Sequence, residues 1–155
     1  MIQCAQITCE KQVTIQIAVV PRRKPAPRRS TCPVATSLDI FGDKWSLLVV
    51  RDLFFTDHRR FGEFASSDEG IASNVLAERL ERLECEGLIH SSPDPADGRK
   101  VVYGLTPKGL DLAPMIIEMI IWAATHEKTE APPALVREMK RDRAAFARKL
   151  RRRWE

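Results

Sequence analysis

The amino-acid sequence predicts a mainly α-helical fold that carries one small β-hairpin. Three observations support this prediction. A short apolar segment and a longer amphipathic segment follow one another across a polar loop within residues 61–87. The hydrophobic period then changes from helical to strand-like, and Asp97-Gly98, a strong turn signal, separates the two strand-like runs. Helix, turn, longer helix and hairpin in this order predict a winged helix-turn-helix, to which we add N- and C-terminal dimerisation helices.

Charge divides the chain into three parts. The 155 residues are 44% hydrophobic and 30% charged, which indicates one soluble domain with tails. Residues 1–30 carry six Lys/Arg against one acid, residues 131–155 carry nine against three, and residues 31–130 carry ten against seventeen. We therefore expect a flexible basic extension over 1–30, the folded domain over 31–130 and a basic C-terminal helix over 131–155. The acidic centre means that any DNA contact must come from local basic clusters or tails.

The N-terminal extension ends in a segment rich in proline and arginine. Three prolines and five cations within residues 21–30 favour an extended, solvated linker over a packed element. The alternative interpretation is a basic arm that lies on DNA.

Two helices open the predicted domain. Pro33 suits the first position of a helix that runs to about Ile40 and ends at Gly42. Asp43 is placed to cap the next helix, from Lys44 to about Phe55. Apolar side chains surround this second helix almost completely, so we expect it to be central and buried.

The longer helix of the predicted helix-turn-helix has two different faces. Leu76, Leu80 and Leu83 recur at helical spacing and predict a buried face. Ser73 is the predicted N-cap, and Gly87 is the predicted end. The outer face begins with short or polar residues, namely Ser73, Asn74, Ala77 and Glu78. A helix fixed on one side and polar at its outer N-terminal end suits the major groove of DNA, although an ordinary amphipathic surface helix has the same pattern.

Residues 88–103 predict the hairpin, or wing. Leu88–His90 and Val101–Tyr103 are the strand-like runs. Arg99 and Lys100 follow the turn, where a cation can reach a phosphate or the minor groove. Ordinary solvated charges are the alternative.

An apolar helix is predicted after the wing. Thr106 caps it, Pro107 occupies its first position, Pro114 bends it, and it runs to about Glu127. Its apolar surface is too large for one small domain to cover, which predicts a dimer interface. The residues assigned to this interface are Leu112, Met115, Ile116, Met119, Ile120 and Trp122. A two-fold dimer suits a pseudo-palindromic operator.

The last helix follows Pro132-Pro133 and is basic and amphipathic. Its apolar residues at helical spacing are Leu135, Met139, Phe146, Leu150 and Trp154. It could pack on the partner subunit, touch flanking phosphates or be solvated, and we expect these in that order.

An ordered series of short motifs resembles the HxlR family of bacterial winged-helix regulators, relatives of the MarR group. The series covers about residues 32–127, and its clearest members are Cys32-Pro33-Val34, Gly42-Asp43-Lys44-Trp45-Ser46-Leu47-Leu48, Arg60-Phe61-Gly62-Glu63-Phe64, Leu76-Ala77-Glu78-Arg79-Leu80 and Asp97-Gly98-Arg99-Lys100. The resemblance implies a homodimer that binds double-stranded promoter DNA, with repression more expected than activation.

The resemblance also implies roles for individual residues. Ser73, Asn74, Val75 and Glu78 would face bases. The cations that would hold phosphates or the minor groove are Arg59, Arg60, Arg79, Arg99 and Lys100. Ala72 and Ala77 stand where many members of the family carry Ser or Thr, which removes two polar contacts that those members could make.

Cys32 is the candidate regulatory residue. In some members of this family the cysteine of the Cys-Pro pair senses oxidants or electrophiles, so the resemblance implies an oxidant or small-molecule effector. A helix dipole and the nearby Arg28 and Arg29 would favour its thiolate. The alternative is a capping or half-buried cysteine without a signalling role.

Other classes of function have little support in the sequence. The four cysteines form no C-x-x-C pair and the three histidines have no metal-ligand spacing, so we expect no metal, cofactor or disulfide framework and a cytoplasmic protein with reduced thiols. No catalytic motif or membrane-spanning segment is predicted. The competing class is a winged-helix module that binds protein instead of DNA, which the glutamates at 78, 81, 84 and 86 favour.

Overall fold

The computed structural model describes residue 25, residues 27–56 and residues 58–154. Residues 1–24 and residue 26, which include Cys4, Cys9 and most of the predicted basic extension, lie outside the described residues. The described elements are, in chain order, α1 (Pro33–Phe41), α2 (Lys44–Phe55), α3 (Phe61–Ala65), α4 (Ser73–Cys85), β1 (Ile89–Pro93), β2 (Val101–Leu105), α5 (Pro107–Leu110), α6 (Ala113–His126), α7 (Pro133–Arg141) and α8 (Arg143–Arg151). The predicted winged helix-turn-helix is confirmed. Within the described residues, no helix combines the length and the apolar character that a membrane span requires.

The predicted cap of α2 is confirmed. Asp43 Oδ1 accepts the backbone N–H groups of Trp45 and Ser46, both at 3.0 Å, which satisfies two donors of the first turn. The helix is central, as expected, but its burial is one-sided. Val50 and Phe54 are fully buried, whereas Leu47 and Leu48 are only half-buried.

The beginning of α4 differs from the prediction and its end agrees with it. Ala72, not Ser73, is the N-cap, because Ala72 has extended backbone angles and its carbonyl accepts the N–H of Leu76 at 2.9 Å. Ser73 is the first helical residue, and its side chain caps nothing. At the other end Gly87 adopts a φ of +69°, and its N–H donates to the carbonyl of Glu84 at 2.9 Å. The N–H of Leu88 reaches the carbonyl of Leu83, also at 2.9 Å, which completes a Schellman motif.

The hairpin is longer than the sequence indicated. Strands β1 and β2 are antiparallel, with Ile89 opposite Leu105 and Pro93 opposite Val101. A third short segment joins them, because Arg60 forms a bridge with Val102 and the carbonyl of Arg59 accepts the N–H of Tyr103 at 2.8 Å. The wing is thus hydrogen-bonded to the segment that leads into α3.

The single helix predicted after the wing is two helices, α5 and α6. The cap at Thr106 is confirmed, since its Oγ1 accepts the N–H of Gly109 at 3.1 Å. Gly109 is required there, because a β-carbon would lie 2.0 Å from the carbonyl oxygen of Leu88. The predicted bend at Pro114 is wrong. The helix restarts at Ala113, so Pro114 lies in a first turn, where its missing N–H costs no hydrogen bond.

The predicted C-terminal helix is also two helices, and both pack on their own chain. Asp142 is extended and caps α8 by accepting the N–H of Ala145 at 2.8 Å. Met139 and Leu150 are buried, and the ring of Phe146 stacks on that of Phe55 at 6.4 Å between centroids. The apolar stripe of this region is therefore covered by the core of the same chain, and a contact of the exposed basic face with a partner subunit remains a prediction.

Two arginines just before α1 form ion pairs with the folded domain. Arg28 donates from both terminal nitrogens to the carboxylate of Glu86, and Arg29 donates to Asp39. Residues 27–30 are exposed and outside any helix or strand, as expected for a solvated segment, but ion pairs with the acidic domain hold residues 28 and 29.

Candidate nucleic-acid interface

The outer N-terminal face of α4 is open, and its inner face is fixed. Leu76, Leu80 and Leu83 are at most 2% exposed and anchor the helix in the core. The exposed residues on the other side are Ser73, Asn74, Ala77 and Glu78, while Val75 is half-buried. The helix therefore presents short polar side chains and one carboxylate from a rigid position.

Helix α3 packs against α4, and a side chain of α3 caps its own N-terminus. The Oε2 atom of Glu63 accepts the backbone N–H groups of Arg59 and Arg60 at 2.7 and 2.8 Å. The N–H of Arg59, followed by that of Arg60, lowers the pKa of Glu63 more than its partial desolvation raises it. Phe64 is 1% exposed and fixes the other side of this short helix in the core.

The tip of the wing carries two exposed cations. The side chain of Arg99 is 92% exposed and that of Lys100 is 62% exposed. Both lie near Asp97, with Arg99 Nε 3.1 Å from Oδ1 and Lys100 Nζ 3.5 Å from Oδ2. The hydrogen bond from the Arg99 side chain is the largest cause of a lowered pKa at Asp97. These cations are accessible to a partner, as the sequence predicted for a wing tip.

Arg60 has two carboxylate partners within the chain. Its Nε lies 2.6 Å from Oδ2 of Asp94, which is buried, and its Nη1 lies 3.0 Å from Oε1 of Glu63. The Arg60 side chain is also the largest cause of the lowered pKa of Asp94. Arg60 therefore joins α3 to the wing, and its side chain stays 43% exposed, so a contact with a phosphate remains a prediction.

Arg59 and Arg79 also have partners within the chain. The guanidinium carbon of Arg59 lies 4.1 Å from the ring centroid of Trp154, a cation–π distance. The side chain of Arg79 is only 17% exposed and lies 3.3 Å from Asp43, the cap of α2. Arg79 is thus half-buried beside Asp43, and its contact with a phosphate remains a prediction.

Sequence reasoning missed two residues that shape this surface. Asp94 anchors the wing to Arg60, and Trp154 lies against Arg59. Both contacts join residues that are far apart in the chain, so neither leaves a periodic signal. The sequence signal for Trp154 was its position as an aromatic residue directly after a run of arginines.

Four large apolar side chains on α1 and α6 are also exposed. Val34 and Leu38 on α1 are 67% and 54% exposed, and Met119 and Trp122 on α6 are 48% and 60% exposed. Ile116, assigned to the dimer interface from the sequence, is 4% exposed and lies in the core, so it is removed from that set. The other assigned residues are half-buried and pack against the core, namely Leu112, Met115 and Ile120.

Cys32 is exposed and is the N-cap of α1. The backbone N–H groups of Ala35 and Val34 lower the pKa of its thiol. The expected contribution of Arg28 and Arg29 is corrected, because both pair with carboxylates elsewhere. Cys85 is half-buried. Across residues 27–56 and 58–154 no group of His, Cys, Asp and Glu side chains is arranged to hold a metal ion.

These features define a class of protein. A core-anchored helix-turn-helix with an exposed polar helix tip and a cationic hairpin beside it is a winged helix-turn-helix. The particular family is given by the match of residues 40–131 to the family model described as HxlR-like helix-turn-helix, and this chain belongs to that family.

Relatives and solved structures agree with this assignment. The uncharacterized HTH-type transcriptional regulator sll1512 of Synechocystis is 35% identical over 88 residues, which are 57% of this chain and 64% of that protein. The solved structure of PA1607 is similar with a TM-score of 0.60 and 38% identity, covering 68% of this chain and 72% of that one. The redox regulator HypR in its oxidized form is similar with a TM-score of 0.55 and 30% identity, covering 63% of this chain and all of that one.

Proposed function

We propose that this chain is a sequence-specific DNA-binding transcriptional regulator, with repression as its mode, that acts in the bacterial cytoplasm as a homodimer on a pseudo-palindromic operator. The observation that carries the proposal is the outer face of α4, where Ser73, Asn74 and Glu78 are exposed on a helix whose other side is fully buried. The similarity to HTH-type transcriptional regulators supports the same conclusion.

The exposed residues of α4 match the chemistry of base edges in the major groove. The Asn74 amide can donate to and accept from adenine, and the Glu78 carboxylate can accept from the amino group of cytosine. Ser73 can pair with either, and Val75 offers an apolar contact to a thymine methyl group. Arg99 and Lys100 at the wing tip then contact phosphates or the minor groove.

The apolar surface of α1 and α6 is the proposed dimer interface. Val34, Leu38, Met119 and Trp122 are large apolar side chains that the single chain leaves exposed, and a partner subunit would remove them from water. A two-fold axis through this surface would place two copies of α4 on successive major grooves of one duplex, about 34 Å apart.

Cys32 is the proposed site of an oxidant response. The thiol is exposed, and its lowered pKa favours the thiolate, which is the nucleophilic form. HypR, one of the similar structures, is named a redox regulator. A free small-molecule effector is the alternative source of regulation.

The test is selection of bound sequences from random duplexes with purified full-length protein, repeated with and without oxidant. We expect an enriched sequence with two-fold symmetry and a steep loss of affinity with salt, with a logarithmic slope of about −0.9 for each phosphate contact. No enrichment, together with affinity that is independent of salt, would favour the module that binds protein, for which exposed Glu78 and Glu81 on α4 would be the contacts.

A further inference from the structure

The ring of Trp154 contacts both parts of the interface at once. It stacks on the guanidinium of Arg59, in the segment that leads into α3, at 4.1 Å from the ring centroid. It also lies at the base of the wing, where a β-carbon on Gly104 would be 3.2 Å from Cζ3 of Trp154 and 2.6 Å from Cε1 of His90. Only a glycine leaves room between these two rings.

The wing needs such support. A two-stranded hairpin is at best marginally stable by itself, so its position depends on what it packs against. Within the described residues the wing is tied to the segment before α3 by three contacts, namely the hydrogen bond from Tyr103 to the carbonyl of Arg59, the bridge between Val102 and Arg60, and the ion pair of Arg60 with Asp94. Trp154 lies against this junction from outside.

The last turn of α8 is itself firmly held. The N–H of Trp154 donates to the carbonyl of Arg151 at 2.9 Å, and Arg153 Nη1 donates to the carbonyl of Phe54 at 2.8 Å. Phe146 and Leu150 are 4% exposed and fix the rest of the helix in the core. The indole is therefore carried by a rigid support.

We propose that Trp154 is a positioning residue that holds the wing against the helix-turn-helix, so that the two C-terminal helices determine where Arg99 and Lys100 meet DNA. This inference rests on the proposed function, because it assigns the wing tip a contact with the duplex. Without the indole, the hairpin keeps its own hydrogen bonds and its three contacts with the segment before α3, but it loses the packing that restricts its orientation relative to α4 from the outside.

The first test is a double-mutant cycle measured by binding to a random-sequence duplex at low salt. In the wild type we expect R99A to weaken binding about fivefold, and in a W154A background by no more than about 1.5-fold, because the contact is no longer positioned. A role in stability alone would leave the R99A factor unchanged in folded W154A protein, and that result would overturn the proposal. R152A, which removes an exposed cation two residues away, is the matched control and should keep the full R99A factor.

The second test needs no DNA. Hydrogen exchange of the free protein should become faster in β1 and β2 of W154A, while α4 amides stay protected. G104A should give the same result, because its β-carbon would lie between the rings of Trp154 and His90 and push them apart. If W154A fails to fold, W154L replaces it, because leucine keeps apolar bulk at this position. Unchanged exchange of the hairpin in these variants would overturn the proposal. If the wild type binds no duplex, the proposed function fails, and exchange alone decides whether Trp154 holds the wing.

Discussion

Arg28 and Glu86 form a two-hydrogen-bond ion pair that joins the segment before α1 to the C-cap of α4. The Nη1–Oε1 distance is 2.9 Å, and the second bond runs from Nη2 to Oε2. The Glu86 side chain is 4% exposed and that of Arg28 is 29% exposed. Cys32 therefore lies four residues after Arg28, which is in direct contact with the end of α4. This pair is a structural link between the candidate sensor and the candidate reading helix.

Replacing Arg28 with Ala should lower the free energy of unfolding by about 2 kcal/mol, because a buried carboxylate loses its partner. Urea denaturation measures the change. Arg29→Ala is the control, since the Arg29 side chain is 75% exposed and an exposed ion pair contributes little to stability. Equal losses in the two variants would show that burial of Glu86 is not the source of the effect.

Asp94 should make stability depend on pH in the acid range. The Arg60 side chain, followed by the N–H of Ala96, lowers the pKa of Asp94 in the folded state. Its stabilisation is therefore complete above the unfolded pKa of about 3.9 and is lost as pH falls from there through the folded pKa. Urea denaturation between neutral and acid pH should show that the advantage of wild type over Asp94→Asn shrinks below about pH 4. A difference in the free energy of unfolding that stays constant down to acid pH would contradict this assignment. Arg60→Gln should also reduce the dependence of stability on pH, because it removes the charge that lowers the pKa of Asp94.

Asn74→Ala should change which sequence is preferred, not only how tightly DNA is bound. A bidentate contact to adenine discriminates by about 1–3 kcal/mol, and truncation removes it. Competition binding with operators that differ at each position measures the loss. Ala77→Ser adds a hydroxyl on the same exposed face and is the matched control for an altered surface without loss of the amide. A uniform loss across all operators would exclude Asn74 from base readout.

Met119→Glu should weaken the proposed dimer. A charge placed in an apolar interface raises the dimer dissociation constant by about tenfold or more, since 1.4 kcal/mol is a factor of ten. Sedimentation equilibrium measures this constant. Val101→Glu is the matched control, because Val101 is 45% exposed on the wing and lies outside the α1 and α6 surface. A wild-type chain that is monomeric at all concentrations would remove the interface.

Cys32 should be alkylated faster than a free thiol at neutral pH, because the N–H groups of Ala35 and Val34 lower its pKa. Peptide mapping after iodoacetamide treatment at several pH values gives the rate at this position. Cys32→Ser should abolish any oxidant effect on DNA binding, while Cys85→Ser should retain it. An oxidant effect that persists in Cys32→Ser would exclude Cys32 as the sensor.

Local signals determined the elements that position the site. The cap at Asp43, the left-handed turn at Gly87 and the leucine period of α4 all act within a few residues, so the sequence alone predicted them. The start of α4 was missed by one residue, because the extended backbone at Ala72, and not the capping preference of Ser73, sets where the helix begins.

Tertiary structure decided how the charged and apolar side chains are used. A period shows that Ile116 or Phe146 is on an apolar face, but only packing shows that this face is covered by the same chain. The same holds for Arg60 and Arg79, whose partners Asp94 and Asp43 are distant in sequence. By itself the sequence determined a winged helix-turn-helix with a polar helix tip. The fold decided which cations are paired within the chain, because an ion pair depends on distance in space, which local sequence patterns do not encode.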